Sequence, residues 1–419
     1  MSVFFMLFFY TRIIASCKTT NVFPAKLVSE SIVPARYLVP LVPITSPGSR
    51  PLTQTPRRNF LQKTAVTALA ATAATRTLTA APPKDEPEII GHGDYRYRVI
   101  RDWAQISALR TPLLNCHEMV QDKRGRLFMI GDHTDNNILV FDKSGKLLDA
   151  WGTIFPGGHG LSLMDEGDEE FLLITDGGWT LDRNGKAIRN NGRVTKMSLD
   201  GRILFDIGHP QTIGIYNAGD PFCPTETTVG PNGDIYVADG YGKDYVIQYN
   251  SNGEYIRHWG GHNNEDPNMN LKNAHGVALD TRDPNQPLIV CTSRSECCFK
   301  FFTLDGQYVK TVSLPNMRVC RPVIDDQNLY AGVCWSQPRS GGSPWAGHTG
   351  FMTVLEGDQV VSNPGGSEPE YIDGVLQNSY QLESQPIMHG HDVCVDEDKN
   401  LYVCQWNANH TPPIKLERI

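Results

Sequence analysis

One phrase recurs five times: KSGKLLDAWG at 143–152, LDGRILFDIG at 199–208, SNGEYIRHWG at 251–260, LDGQYVKTVS at 304–313 and LEGDQVVSNP at 355–364. Each sets glycine third in a polar turn and then runs into a strand-like stretch that ends at a loop. Ahead of these stand runs such as DKRGRLFMIGD, GPNGDIYVADG and DEDKNLYVCQW, where a turn feeds β-branched and aromatic residues. Helical periodicity is almost absent beyond the N-terminal region. Short strands repeating every 40 to 70 residues or so are the pattern of a β-propeller, one four-stranded blade per repeat. Inner strands starting near His117, His159, Thr225, His275, Arg318 and His391 give six blades.

Closure tests that count. The last blade ends at KLERI, Lys415 to Ile419, one strand short. The segment YRYRVIRDWA (95–104) has the form of the missing strand, with Trp103 where Trp151 and Trp259 stand in their blades. An outer strand supplied from the N-terminal side would remove the exposed sheet edge. The expected fold is therefore all-β: a six-bladed propeller over 111–419, with a linker and closing strand in 82–110.

The N-terminal region reads differently. In PRRNFLQKTAVTALAATAAT, Arg57 and Arg58 precede Phe60 and Leu61, then an Ala-rich run with small residues near Ala80 and Ala81. Paired arginines, a weakly apolar stretch and a small-residue cleavage site resemble a twin-arginine export signal over 56–81. The apolar stretch is too short and polar to span a bilayer. A signal beginning that far in raises the expectation of a start codon downstream of Met1, with residues 1–55 then untranslated. The expected destination is the periplasm or exterior of a bacterium, with the twin-arginine machinery as a partner. The formal net charge of −8, with no basic stripe, excludes nucleic acid as a partner. Nine cysteines lie beyond the signal, an odd number, and Cys291, Cys394 and Cys404 sit in strand-like runs as core residues.

Histidine stands at inner-strand starts in GHGLSL (His159), NAHGVALD (His275) and GHDV (His391). These fall in blades two, four and six, about 120° apart around a six-fold axis. Three imidazoles converging there suit Zn²⁺ with an open fourth position. The structural alternative is three strand-start histidines hydrogen-bonded to loops. Asp392, one step beyond His391, points elsewhere; with the carbonyls of Leu161 and Met119 it would cage a hard cation such as Ca²⁺. The alternative there is a buried aspartate held by backbone amides.

FCPTETTVGPNGDIYVADGYGKDYVIQYNSNGEYIRHWG, NAHGVALD, GHGLSL and GHDV together resemble the peptidylamidoglycolate lyase family, six-bladed NHL-repeat propellers forming the lyase half of peptidylglycine α-amidating enzyme. The likeness runs over about residues 112 to 410. It implies zinc on His159, His275 and His391, and structural calcium on Asp392, Leu161 and Met119. It also implies a catalytic Tyr241 in Asp239-Gly240-Tyr241 and a substrate-binding Arg294 in CTSRSE. Three departures stand out. Ile130 precedes Gly131-Asp132-His133 where the family has an arginine, Gly242 replaces a cysteine that would pair Cys223, and His117 and His389 are additional. The implied activity is that of a carbon–nitrogen lyase cleaving a peptidyl α-hydroxyglycine-like carbinolamide to amide and glyoxylate. The competing readings are a non-catalytic propeller that binds a peptide or glycan, and a propeller lactonase.

Overall fold

The computed structural model describes residues 87–181, 186–345, 347–383 and 385–419. Residues 1–55 and the twin-arginine segment lie outside the described residues. Six antiparallel sheets surround one axis. Blade one comprises Cys116–Gln121, Leu127–His133, Asn136–Phe141 and Leu147–Trp151. Blade two comprises Gly158–Asp165, Glu170–Asp176, Arg193–Ser198 and Ile203–Ile207, with a hairpin (Trp179–Leu181, Ala187–Arg189) inserted. The inner strands of the other blades are Glu226–Val229, Ala274–Asp280, Arg318–Asp325 and Gly390–Val395. Each inner strand touches the next, and the sixth touches the first, so the ring is closed. The helical elements among the described residues are two single 3₁₀ turns, Pro210–Ile213 and Arg294–Glu296, and no helix there is long and apolar enough to cross a membrane.

The recurring phrase does what its glycine implies. Gly145, Gly201, Gly253, Gly306 and Gly357 all have positive φ, between 56° and 90°. At Gly145 a Cβ would lie 1.8 Å from the Trp103 carbonyl oxygen, so no other residue fits that turn.

The strands alternate between two neighbours. In blade one, Leu127 and Met129 pack towards blade six, while Phe128 and Ile130 pack towards blade two. The same period-two division produces six apolar clusters, one at each interface between adjoining blades.

The ring closes in the last blade. Tyr95–Ile100 pairs antiparallel with Ile414–Arg418, Val99 opposite Leu416. A further strand, Ile89–His92, pairs outside it, so this blade has five strands rather than four. Trp103 is not part of the closing strand. It lies beyond Ile100, donates its indole N–H to the Lys143 carbonyl at 3.0 Å and packs on Phe141 and Tyr402.

Candidate functional site

His117, His159, His275 and His391 each follow the first residue of an inner strand, and each falls in a register break. In blade one the ladder passes from Cys116 to Glu118, and in blade six from Gly390 to Asp392, leaving the histidine between them unpaired. A bulge re-aims its extra residue away from the sheet face. Four imidazoles thereby meet on the axis.

The three predicted ligands form a near-equilateral triangle, with ring centres 4.8 Å (His159–His275), 4.9 Å (His159–His391) and 5.0 Å (His275–His391) apart. Imidazoles bound tetrahedrally to one zinc at about 2.0–2.1 Å have ring centres roughly 5 Å apart. His117 joins them, 4.7 Å from His159 and 4.9 Å from His391. The donor atoms of His117, His159 and His391 lie within 4.8 Å of one another, as do those of His275, Cys320 and His391, so the donor groups divide the three expected ligands, with His391 common to both.

Partners fix the tautomers. His159 Nδ1 lies 2.8 Å from the Thr225 carbonyl, and His391 Nδ1 lies 3.0 Å from the His117 carbonyl. A carbonyl only accepts, so both Nδ1 atoms carry the proton and both Nε2 atoms hold a free lone pair. Nε2 of His159 is buried with no partner. His117 donates Nε2–H to Asp132 Oδ2 at 3.2 Å, which leaves its buried Nδ1 likewise without a partner. Burial holds His159, His275 and His391 well below the ordinary histidine pKa, and His117 or Arg294 nearby adds to the effect. Neutral imidazoles with unshared, buried lone pairs are a donor set that fits a divalent metal ion.

Tyr241 stands beside them. Its hydroxyl accepts from Arg294 Nη2 at 3.1 Å and lies 3.0 Å from Nε2 of His275, whose buried Nδ1 has no partner. Burial raises the Tyr241 pKa, partly opposed by Arg294, so the phenol stays protonated. Arg294 also donates to Asn273 Oδ1 and, at 3.7 Å, to Cys320 Sγ, and lies over the Trp335 ring at 5.1 Å. Among the described residues no carboxylate forms an ion pair with this buried guanidinium. A cavity of about 580 Å³ opens onto the group, walled by His117, Asp132, His159, Trp179, Tyr241 and Trp406.

The expected calcium donors also come together, but around a side chain. Asp392, the Leu161 carbonyl and the Met119 carbonyl all accept hydrogen bonds from the Arg321 guanidinium. These residues therefore do not fit a calcium ion. Ile130, where the resemblance implied an arginine, is fully buried in the cluster between blades one and two and takes no part in the site. Cys223, without a cysteine partner, accepts from Arg189 Nε at 3.2 Å and Nη2 at 3.1 Å, and Arg189 also donates to the Tyr241 carbonyl. His389 lies apart from the four, hydrogen-bonded to carbonyls that include Trp406 and Gly347. Sequence reasoning missed the roles of Cys320, Asp132 and Arg321. Asp132 was visible in its motif; Cys320 and Arg321, in RVCRPV, carried no signal beyond that of a strand.

No protein-family model matches the chain. A peptidyl-alpha-hydroxyglycine alpha-amidating lyase 1 of Drosophila melanogaster is 29% identical over 167 residues, 39% of this chain. The match spans 26% of that protein's length. Among solved structures, a streptogramin B lyase covers 78% of this chain and 97% of its own, at 14% identity and a TM-score of 0.45. A gluconolactonase of Xanthomonas campestris covers 80% and 95%, at 14% identity and a TM-score of 0.46. Likeness at those values carries no functional inference.

Proposed function

We propose that the axial histidines hold zinc and that the chain is a lyase, cleaving a carbinolamide of the peptidyl α-hydroxyglycine type to an amide and glyoxylate. One observation carries the reading. His159 and His117, each with a buried ring nitrogen that has no partner, lie with Tyr241 in the wall of an open cavity, and Tyr241 touches both His275 and the buried Arg294, which has no ion-pair partner among the described residues.

Each of the chain's own groups has a task. Arg294 binds the substrate carboxylate, which supplies the counter-charge that the fold withholds. Asn273 and Tyr241 fix the guanidinium in place. In the reaction the C–N bond breaks, the α-hydroxyl loses its proton as the aldehyde forms, and the amide nitrogen gains one. Tyr241, holding its proton, delivers it to that departing nitrogen and recovers one from the α-hydroxyl. His117, oriented by Asp132, stands with its ring centre 4.7 Å from that of His159. A bound zinc would supply Lewis acidity that makes the hydroxyl proton easier to remove. The amidating-lyase relative from the fly supports this substrate class over its matched segment. Export by the twin-arginine route belongs to the same reading, and Arg57→Lys with Arg58→Lys should hold the protein in the cytoplasm of a bacterial host.

Elemental analysis tests the metal. Native protein should carry close to one zinc per chain, and the triple variant His159→Ala, His275→Ala, His391→Ala should carry none while keeping its β-sheet circular dichroism. Full zinc in that variant would move the site to other ligands.

A further inference from the structure

On the channel axis beyond the histidines, Arg321 reaches out of blade five into the space between the other inner strands. Its Nε donates to Asp392 Oδ1 at 2.9 Å and its Nη2 to Asp392 Oδ2 at 2.9 Å. Nη2 also donates to the Met119 carbonyl at 3.1 Å, and Nη1 to the Leu161 carbonyl at 2.8 Å. Glu118 and Glu226 flank it at 3.7 and 3.8 Å. Met119 and Glu118 belong to blade one, Leu161 to blade two, Glu226 to blade three and Asp392 to blade six. Blade four completes the circle through Gly276, where a Cβ would lie 2.6 Å from Arg321 Cα. From blade five, one side chain thus reaches blades one, two, three and six, while blade four packs against its backbone.

A divalent cation at this point would need six to eight oxygen ligands at about 2.3–2.6 Å. The oxygens of Asp392, Leu161 and Met119 are present, but they accept from the Arg321 N–H groups and the space between them holds the guanidinium. A planar guanidinium gives bidentate geometry to Asp392 and two further donors to carbonyls, which suits it to span several strands at once. Asp392 forms the close ion pair with it, and the carboxyls of Glu118 and Glu226 stand just beyond hydrogen-bond distance. Here the cation is covalently attached.

We infer that Arg321 is a built-in axial cation that replaces calcium as the tie between blades, so that the propeller keeps its stability without that ion. The inference is independent of the lyase reading, because it concerns a different set of side chains. It also implies that the vacated cradle, with one aspartate, two glutamates and two carbonyls, is a calcium site in waiting.

The test uses the full chain with zinc held constant. Native protein should contain fewer than about 0.1 calcium per chain, and adding about 5 mM calcium should move its unfolding temperature by less than about 1 °C. Arg321→Ala should unfold at a lower temperature than native, and the same calcium addition should raise it by roughly 5 °C. Arg321→Lys, with one charge but no fork, should fold, melt below native and ignore calcium. Stoichiometric calcium in the native protein, or a native unfolding temperature that rises with calcium, overturns the inference. So does a folded Arg321→Ala chain as stable as native.

Discussion

Tyr241 stands between two groups that act on its proton in opposite senses. Burial raises its pKa and keeps the hydroxyl intact, while Arg294 at 3.1 Å favours the phenolate. That balance suits a group that gives up a proton and regains it. Tyr241→Phe removes the proton and leaves the ring contacts with His159 and His275 in place. It should keep zinc and fold yet lose about 10²- to 10⁴-fold in kcat, measured by glyoxylate release. Asp132 acts one step further out. Burial pushes its carboxyl up, but hydrogen bonds from His117 and Asn115 outweigh this and hold it below its ordinary value. If His117 is a ligand, Asp132→Asn should weaken zinc binding by about 10- to 100-fold, read by competition with a chromophoric chelator. Ile130 gives no second cation to the substrate, so the native KM for an α-hydroxyglycine should be high.

At the scale of strands, the decisive features are the bulges and the closing pair. A strict two-residue alternation could not bring a histidine and the following acid, such as His391 and Asp392, both to the axis. The skipped ladder position between Gly390 and Asp392 does so. No pattern in GHDV announces that skip, because a bulge is a property of two strands in register and only one is written locally. The same holds for Arg321, whose partners Met119 and Leu161 are 202 and 160 residues away in the chain. The turns were legible, since glycine third in a polar turn needs only local geometry. The closing strand was legible from the missing edge, but Ile89–His92 was not. Removing residues 87–104 would uncover the cluster formed with Tyr95, Tyr97 and Leu416. Each large apolar side chain exposed costs about 1.5–3 kcal/mol, so the truncated protein should melt well below native or associate through the bared edge. An unchanged melting temperature in a monomer would contradict the closure.

Across the described residues, the six interblade clusters ring an axis lined by polar groups. The histidines there are kept neutral by burial, and the sign of their pH effect follows. Their folded-state pKa lies well below the ordinary 6.5, so acidification protonates them in the unfolded chain first. Their stabilising contribution is present above pH 6.5 and is lost as the pH falls. Compared metal-free between about pH 7.5 and 5.5, the native protein should lose more stability than His159→Gln, by up to about 1.4 kcal/mol per pH unit. An equal loss in the two would mean that His159 is protonated in the fold. The architecture and the alternation of His159, His275 and His391 were readable because repeats and their phase are linear properties. The charge arrangement on the axis was not, because it sums residues from six separate blades.

Cleavage of carbinolamides at this axis is read from glyoxylate release when zinc-loaded native protein meets a peptidyl α-hydroxyglycine. Saturable release above the spontaneous rate is expected, abolished by stripping the metal and restored by adding zinc back. Zinc-loaded, folded protein that releases no glyoxylate above the spontaneous rate at any substrate concentration would contradict it and leave a propeller that binds without catalysis.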